Sequence, residues 1–534
     1  MERLMNRPRT EHTRYATNGM VCSVDHLASG AGIEMLAAGG NAVDAAVATS
    51  AVLAITTQHM CGMGGDLWAL VHVPGSSEPV ALNASGWAGA GADAAAMRAE
   101  GLDEMPFRGD LRSTPVPGCI DGWVALHERF DQRPLTDVLE PARRLAAEGF
   151  VVTPMLASMV PMIVGVAGAE DYAVDGVPVS AGQVVTRPGL ARSLAAIGAD
   201  GRSGWYEGEF GEGLIAAGQT CKGGPLFNDG DLEHVHAEWV QPTVAEAWGQ
   251  RLWTAPPNSQ GYLSLASAVI AAGLDLPEDP DDPLFAHLLI EASKQAAFDR
   301  RDSLFDGADG AALVAEERLA PRRARIGERA LDVGSPGSGG GTIYLCTTDG
   351  NGMGVSLIQS NAAGFGVHLG VPGVGVLLHN RGIGFNLIEG HPAELQPGKR
   401  PPSTMSPALA TNSDGSLRTV FGCMGGDTQP QIVLQMAARR FHAQQDVGRL
   451  ITAPRFALTV PNAQGFDTWS SPEPLTVALE AGSPWADGLS RRGHVVEERR
   501  WGPGFGHAHM IDVIDDHVEG AADPRALTGA ALGR

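Results

Sequence analysis

The stretch that decides the fold is GTIYLCTTDGNGMGVSLIQS, residues 341–360. Its first part, 343–348, is rich in β-branched and aromatic residues, which are typical of a strand. The Asp-Gly-Asn-Gly sequence at 349–352 predicts a hairpin turn, and 354–360 predicts the returning strand. The preceding GSPGSGGG, residues 334–341, predicts a flexible loop. A loose loop therefore ends, and a hairpin begins, at Thr342.

Patterns on both sides of the hairpin predict a layered protein of helices and strands. They are a helix over 42–48 with Asn41 as its N-cap, a Gly-rich turn at 62–66 leading into a strand over 67–73, and amphipathic helices over 133–150 and 284–300.

Composition restricts the classes of function. The chain has 534 residues, which suggests about three domains and allows a core without disulfide or metal support. Lys and Arg number 38 against 61 Asp and Glu, and the net charge of −23 argues against nucleic-acid binding. The six cysteines lack metal-ligand spacing, so we expect no zinc site and a reducing compartment.

Export and membrane insertion are not predicted. Residues 1–8 lack the apolar core of a signal peptide, and no uninterrupted apolar run approaches the ~18 residues of a membrane span. We therefore expect a cytoplasmic protein with no membrane partner.

Common catalytic motifs do not fit this chain. The Gly-rich loop is not a P-loop, because Gly341 stands where a lysine is needed and a strand follows. A GxSxG nucleophile motif is absent, and no pattern pairs a histidine with a nucleophile, so His507 and His509 read as structural. The remaining hypothesis is a threonine at a new N-terminus, whose own α-amine accepts the Oγ proton. Residues alone support it weakly, since Gly-Thr before a strand is common.

An ordered series of short motifs then runs through nearly the whole chain. The motifs are GGNAVDAAVA (39–48), GMGGD (62–66), VPG (116–118) with GW (122–123), PAR (141–143) with EGF (148–150), PPNSQG (256–261), EASK (291–294), KRPPSTMSP (399–407), MGGD (424–427), APR (453–455) and ADPR (522–525). Each is modest alone. Their order makes the chain, from Tyr15 to Arg525, resemble the gamma-glutamyltranspeptidase family of N-terminal nucleophile hydrolases.

The resemblance implies an α+β fold, a four-layer αββα sandwich made as one precursor. It implies self-cleavage between Gly341 and Thr342, giving a large subunit 1–341 and a small subunit 342–534 that form one intertwined structural domain. The implied assembly is a heterodimer or a dimer of heterodimers. No cofactor, metal or nucleic acid is implied.

The same resemblance implies the catalytic groups. Thr342 stands in the place of the family's nucleophile, and Ser360 in the place of the hydroxyl that hydrogen-bonds it. Gly425 and Gly426 match the glycines of the oxyanion hole, whose donors stabilise the tetrahedral intermediate.

The glutamate-binding residues of the family are largely replaced. The stretch 88–93 carries no arginine for a substrate α-carboxylate. Arg381 stands at the place of a glutamine and Gly384 at that of an acidic residue. An asparagine that binds the α-amino acid head has become Ala362, with Asn361 one residue earlier. The serine pair persists as Ser403 and Thr404, so the full set of expected substrate-binding residues is Arg381, Asn361, Asn380, Ser403 and Thr404, with Arg112 or Arg108 as a further anion contact.

The site implied by the resemblance has lost the acid that would bind an ammonium group and has gained the Arg381 guanidinium, which favours the binding of carboxylates. We therefore expect a self-processing threonine hydrolase, an amidohydrolase or acylase, that acts through an acyl-Thr342 intermediate on a small carboxylate-bearing substrate and not on glutathione. Three alternatives stay open at this point. They are C–C bond hydrolysis beside an α-keto acid, true gamma-glutamyl hydrolysis or transfer, and a degenerate binding protein on the same fold.

Overall fold

The computed structural model describes residues 12–331, 341–460 and 475–534. The predicted flexible loop 334–341 lies, except for Gly341, outside the described residues.

The described strands form two seven-stranded sheets and several small ones. In chain order the strands are β1 (Arg14–Ala16), β2 (Gly19–Ser23), β3 (Asp66–His72), β4 (Val80–Ala84), β5 (Phe150–Val151), β6 (Ala173–Val174), β7 (Val177–Pro178), β8 (Val184–Val185), β9 (Glu238–Val240), β10 (Thr243–Ala247), β11 (Gln250–Thr254), β12 (Gly341–Asp349), β13 (Gly354–Ala362), β14 (Gly370–Val371), β15 (Val376–Leu377), β16 (Ala408–Thr411), β17 (Leu417–Met424), β18 (Phe456–Thr459), β19 (Thr476–Glu480), β20 (Val496–Arg499), β21 (His507–Ile514), β22 (His517–Ala522) and β23 (Ala530–Gly533).

The helices lie mostly before Gly341. They are α1 (His26–Ala37), α2 (Ala42–Thr56), α3 (Ala94–Ala99), α4 (Cys119–Phe130), α5 (Leu135–Glu148), α6 (Pro154–Met159), α7 (Pro188–Asp200), α8 (Ser203–Tyr206), α9 (Glu209–Gln219), α10 (Asp229–Glu233), α11 (Tyr262–Ala272), α12 (Pro283–Ala297), α13 (Arg300–Ser303), α14 (Gly310–Val314), α15 (Glu316–Arg323), α16 (Gln429–Ala437), α17 (Val447–Thr452) and α18 (Ala486–Arg491). Short 3-10 segments include Leu111–Ser113 and Arg381–Gly384.

The predicted hairpin lies at the centre of one sheet, whose strand order is β23-β2-β12-β13-β3-β4-β9. The other sheet has the order β1-β22-β21-β17-β16-β11-β10. Both sheets combine strands from before residue 331 with strands from Gly341 onward. The two portions of the chain are therefore interleaved within each sheet.

The two large sheets pack face to face. Strand β12 contacts β17 and β21 of the other sheet, and an apolar core joins Tyr344 and Ile358 to Leu409, Val420 and Ile511 across the gap. Helices α1 and α2 cover the outer face of the β12 sheet, while α11 and α16 cover that of the other. The architecture is an α+β, four-layer αββα sandwich, as the resemblance implied.

Helix α2 is the most enclosed helix beside the central hairpin, and all 15 of its residues are buried. Its N-terminus follows the predicted pattern, because Asn41 Oδ1 accepts hydrogen bonds from the Val43 and Asp44 nitrogens while Asp44 Oδ2 accepts from the Asn41 nitrogen. The hairpin turn also contributes, since Asp349 Oδ2 accepts from the Ala42 nitrogen at 3.1 Å. This contact ties the start of α2 to the end of β12.

The other predicted helices are found at slightly different bounds, as α5 and α12. Among the described residues, no helix is long and apolar enough to cross a membrane.

Removal of the α2 cap should destabilise the whole sandwich. We expect Asn41→Ala to cost about 1–2 kcal/mol, because two buried N–H groups lose their acceptor. The shift in apparent Tm measures it. The matched control is Asn228→Ala, which removes the same capping box from the five-residue, largely exposed α10 and should cost less. Equal losses in the two variants would contradict this account.

Candidate active site

Three polar side chains lie in one row across the central strands. Thr342 of β12 pairs with Ser360 of β13, and Ser360 pairs in turn with Asp66 of β3. All three residues are fully buried. Side chains two residues away on these strands, Tyr344, Ile358 and Trp68, belong to the core between the sheets. Because strand side chains alternate, this polar row also faces the space between the two sheets.

The two hydroxyl groups of the polar row are in hydrogen-bond contact, with Thr342 Oγ1 2.9 Å from Ser360 Oγ. Ser360 Oγ also accepts from Arg381 Nη2 at 2.9 Å and from the Ala362 nitrogen at 2.8 Å. In the contact between Thr342 and Ser360 either hydroxyl can be the donor, because each oxygen carries one proton and two acceptor lone pairs.

Arg381 joins the far end of the polar row to its centre. Its Nε donates to Asp66 Oδ2 at 2.8 Å, and its Nη2 lies 3.4 Å from Asp66 Oδ1. Its Nη1 donates to Thr404 Oγ1 at 3.0 Å. The side chain of Arg381 is only 1% exposed. Arg381, which the sequence analysis expected to bind substrate, is paired here with a buried carboxylate that the analysis did not assign.

The Gly425–Gly426 turn begins where β17 ends. Both glycines have positive φ, +151° and +57°, which L side chains rarely adopt. Gln260 holds the turn in place, because its Nε2 donates to the carbonyl oxygens of both Gly426 and Thr404. A continuous set of hydrogen bonds therefore leads from this turn through Thr404 and Arg381 to the polar row.

Other residues expected to bind substrate have structural partners. Asn380 Nδ2 donates to the Phe107 carbonyl, and its Oδ1 accepts from the Ala363 nitrogen. Ser403 is fixed through its backbone, since its nitrogen donates to the Asn258 carbonyl.

Asn361 and Arg112 also lie apart from the polar row. Asn361 follows Ser360 along β13 and therefore points to the opposite, helix-covered face, where its Nδ2 donates to the Gln58 carbonyl. Its Oδ1 is buried and has no hydrogen-bond partner among the described residues. Arg112 is held by Asp110 and Glu100.

Position 384, where the resemblance implied an acidic residue in the family, has no room for a side chain. A Cβ added there would lie 2.1 Å from the carbonyl oxygen of Pro402, which no packed structure tolerates. Ala362, at the place of the family's head-group asparagine, has a φ of +67°. Nearby backbone strain of this kind is common at functional sites.

The described residues contain one cluster with the composition of a metal site, which is His287, Glu291 and His494. His287 Nδ1 lies 2.8 Å from His494 Nε2, and Lys294 Nζ donates to Glu291 Oε1 at 2.8 Å. The ammonium of Lys294 already balances the carboxylate, and the imidazole pair satisfies itself. The arrangement is that of a structural network.

Sequence reasoning missed Asp66 and Gln260, although both lie in motifs that it quoted. The signal for Asp66 was the buried cation itself, because a charge placed in a core needs a partner of opposite sign. Strand pairing then limits the search to residues opposite Ser360. Gln260 gave no comparable signal, since its partners are two backbone carbonyls.

Removal of one partner of the buried ion pair should destabilise the protein more than removal of both partners. We expect Arg381→Met to destabilise the protein by about 3–5 kcal/mol, because Asp66 is left buried and unpaired. The double variant Arg381→Met/Asp66→Leu should recover most of that loss. Thermal unfolding of the single and double variants measures both effects. A double variant no more stable than Arg381→Met would contradict the pairing.

Comparison with known proteins identifies the family of the chain. A family model described as Gamma-glutamyltranspeptidase matches residues 28–533. The chain is 33% identical over 537 residues to the glutathione hydrolase-like YwrD proenzyme of Bacillus subtilis, covering 97% of this chain and 98% of that protein. It is 32% identical over 535 residues to the oxamate amidohydrolase proenzyme of Klebsiella pneumoniae, covering 97% and 99%.

The crystal structure of cephalosporin acylase from Bacillus halodurans has a similar fold, with a TM-score of 0.89 and 32% identity, over 99% of this chain and 98% of that one. On this evidence the chain belongs to the gamma-glutamyltranspeptidase family and has the fold of the N-terminal nucleophile hydrolases.

Proposed function

We propose that this protein is a self-processing threonine hydrolase that cleaves the amide bond of a small, carboxylate-bearing substrate through an acyl-Thr342 intermediate. The single observation that carries the proposal is the position of Thr342. Its hydroxyl, at the start of β12, is 2.9 Å from the Ser360 hydroxyl, and both lie in the same polar row as Asp66. Arg381 contacts both Asp66 and Ser360 in this row.

Self-cleavage is the first reaction that we propose. In the precursor the Thr342 nitrogen is the peptide nitrogen of the Gly341–Thr342 bond. Thr342 Oγ1 attacks the Gly341 carbonyl carbon, and the peptide becomes an ester as the nitrogen leaves with a proton. Water then hydrolyses the ester. The products are the subunits 1–341 and 342–534, which share both sheets and so remain associated.

Turnover uses the new N-terminus. The Thr342 α-amine takes the Oγ1 proton as the oxygen attacks the substrate carbonyl, and the amine leaving group departs with that proton. Water then attacks the acyl-threonine, with the α-amine again accepting a proton, and releases the acid. The N–H groups of the Gly425–Gly426 turn are the proposed donors to the oxyanion, a role in which one donor typically contributes about 3–4 kcal/mol.

The proposed substrate class rests on the charge of the Arg381 guanidinium and on the lack of space at Gly384. Asp66 binds the Nε side of the Arg381 guanidinium, so the Nη1–Nη2 end points to Thr404 and Ser360, beside the nucleophile. That end suits a carboxylate or a dicarbonyl oxygen. The closed position at Gly384 leaves no room for a carboxylate that would bind an α-ammonium group. The names of the oxamate amidohydrolase and cephalosporin acylase relatives support an amide substrate.

Processing can be tested directly. Wild-type protein should give two chains with a new N-terminus at Thr342, whereas Thr342→Val should stay a single chain, because valine keeps the shape and loses the hydroxyl. Denaturing gels and N-terminal sequencing measure this. Thr348→Val is the matched control on the same strand and should be cleaved normally. Cleavage of Thr342→Val, or a single wild-type chain, would exclude the proposed nucleophile.

Substrate preference is a separate test. We expect kcat/KM for oxamate or an N-oxalyl anilide to exceed that for a gamma-glutamyl anilide by about 100-fold or more, since the site lacks an acid for the α-ammonium. Gly384→Asp should not restore glutamyl turnover, because its Cβ collides with the Pro402 backbone, and it should lower Tm. Faster turnover of the glutamyl anilide would overturn the proposed substrate class.

A further inference from the structure

The Asp66–Arg381 pair lies across the polar row with its charges at different distances from Thr342. Neighbouring strands are about 4.8 Å apart, so the Asp66 backbone, two strands away, is about 10 Å from that of Thr342. The guanidinium reaches back toward the nucleophile, and its Nη2 touches the hydroxyl that touches Thr342 Oγ1. Among the described residues, no hydrogen bond joins the Asp66 carboxylate to either hydroxyl of the row, so the guanidinium is the charged group of the pair that contacts the Thr342–Ser360 hydroxyls.

This orientation has a consequence for the group that appears on cleavage. A free α-amine has an ordinary pKa near 7.7, so much of it is protonated at neutral pH and is unable to accept a proton. A nearby cation disfavours the protonated form, and a nearby anion favours it. With the cation nearer than the anion, and both enclosed between the sheets, the effect of the cation is the larger one.

We propose that the Asp66–Arg381 pair keeps the Thr342 α-amine unprotonated at neutral pH. The positive charge of Arg381 disfavours protonation of the amine. Asp66 is a positioning residue that orients the Arg381 guanidinium and offsets part of its charge. The inference rests on the proposed cleavage before Thr342. It gives Arg381 a role in every turnover, whichever acyl group is bound.

Other titratable groups around the polar row do not oppose this effect. Burial lowers the pKa of His379, lowers that of His507 to about 4 and lowers that of His509 to about 3, so these imidazoles are neutral at pH 7. Burial raises the pKa of Tyr344, which is therefore neutral as well. Farther along, Asp427 lies 3.2 Å from Arg300, and Asp523 is paired with Arg455 and Arg525.

The test is a titration of the α-amine in the processed protein. Acetic anhydride acylates only unprotonated amines, and mass spectrometry of the small subunit's N-terminal peptide measures how the reaction at Thr342 depends on pH. Wild-type protein should titrate below 7.7. Arg381→Gln should raise the midpoint by about one pH unit, and Asp66→Asn should lower it by a similar amount.

The acid limb of the kcat/KM profile should move in the same two directions, because activity appears as the amine loses its proton. Arg381→Lys keeps the charge and should stay near the wild-type midpoint. Arg143→Gln removes an equal charge from an exposed ion pair on α5 and should change nothing. Self-cleavage of the precursor should lack this limb, since its Thr342 nitrogen is an amide.

Opposite shifts in the two variants would support the proposal. Shifts of the same sign, no shift in either, or a wild-type midpoint at or above 7.7 would overturn it. If a variant remains uncleaved, the midpoint of the α-amine titration in the wild-type protein tests the proposal alone. Absence of any Thr342 N-terminus defeats the proposed function itself, whereas a normal N-terminus with an ordinary midpoint defeats only this inference.

Discussion

The ion pair between Asp66 and Arg381 is the constraint on which the site depends. Both groups are buried, and neither charge is stable there without the other. The Nε side of the guanidinium is committed to Asp66, which leaves its other end directed at Ser360 and Thr404. The Ser360 hydroxyl in turn is 2.9 Å from the Thr342 oxygen. A pairing of two charges therefore fixes the position of a hydrogen-bond partner of Thr342.

The sheet makes this pairing possible. Thr342, Ser360 and Asp66 are in register on three adjacent strands, so each is one strand spacing from the next and all face the same side. A slip of one residue in β12 would turn Thr342 toward the helices and bring Gly341 or Ile343 to the inner face. The hairpin turn resists such a slip, because Asp349 is tied to the start of α2. The register of the hairpin is thus part of the geometry of the candidate site.

Sequence could predict the parts of the site that depend on local pattern. The hairpin, the capped helix α2 and Thr342 at the start of a strand all follow from residue type and spacing. The face of the sheet to which the Asn361 side chain points was also predictable. Asn361 follows Ser360 on a strand, so the two side chains must point to opposite faces. Asp66 and the closed position at Gly384 depend on contacts between distant segments, which periodicity does not contain.

The same contacts restrict which residues can occupy positions 381 and 384. An arginine introduced alone at position 381 would be a buried cation without a partner, so it requires a carboxylate within reach, and the residue opposite Ser360 is in that place. An acidic side chain at position 384 would collide with the Pro402 backbone, so its absence is a matter of shape as well as charge. The residues at positions 66, 381 and 384 therefore depend on partners in other segments of the chain. A substitution at one of them removes a charge partner or closes a packed space as well as changing the chemistry of the candidate site.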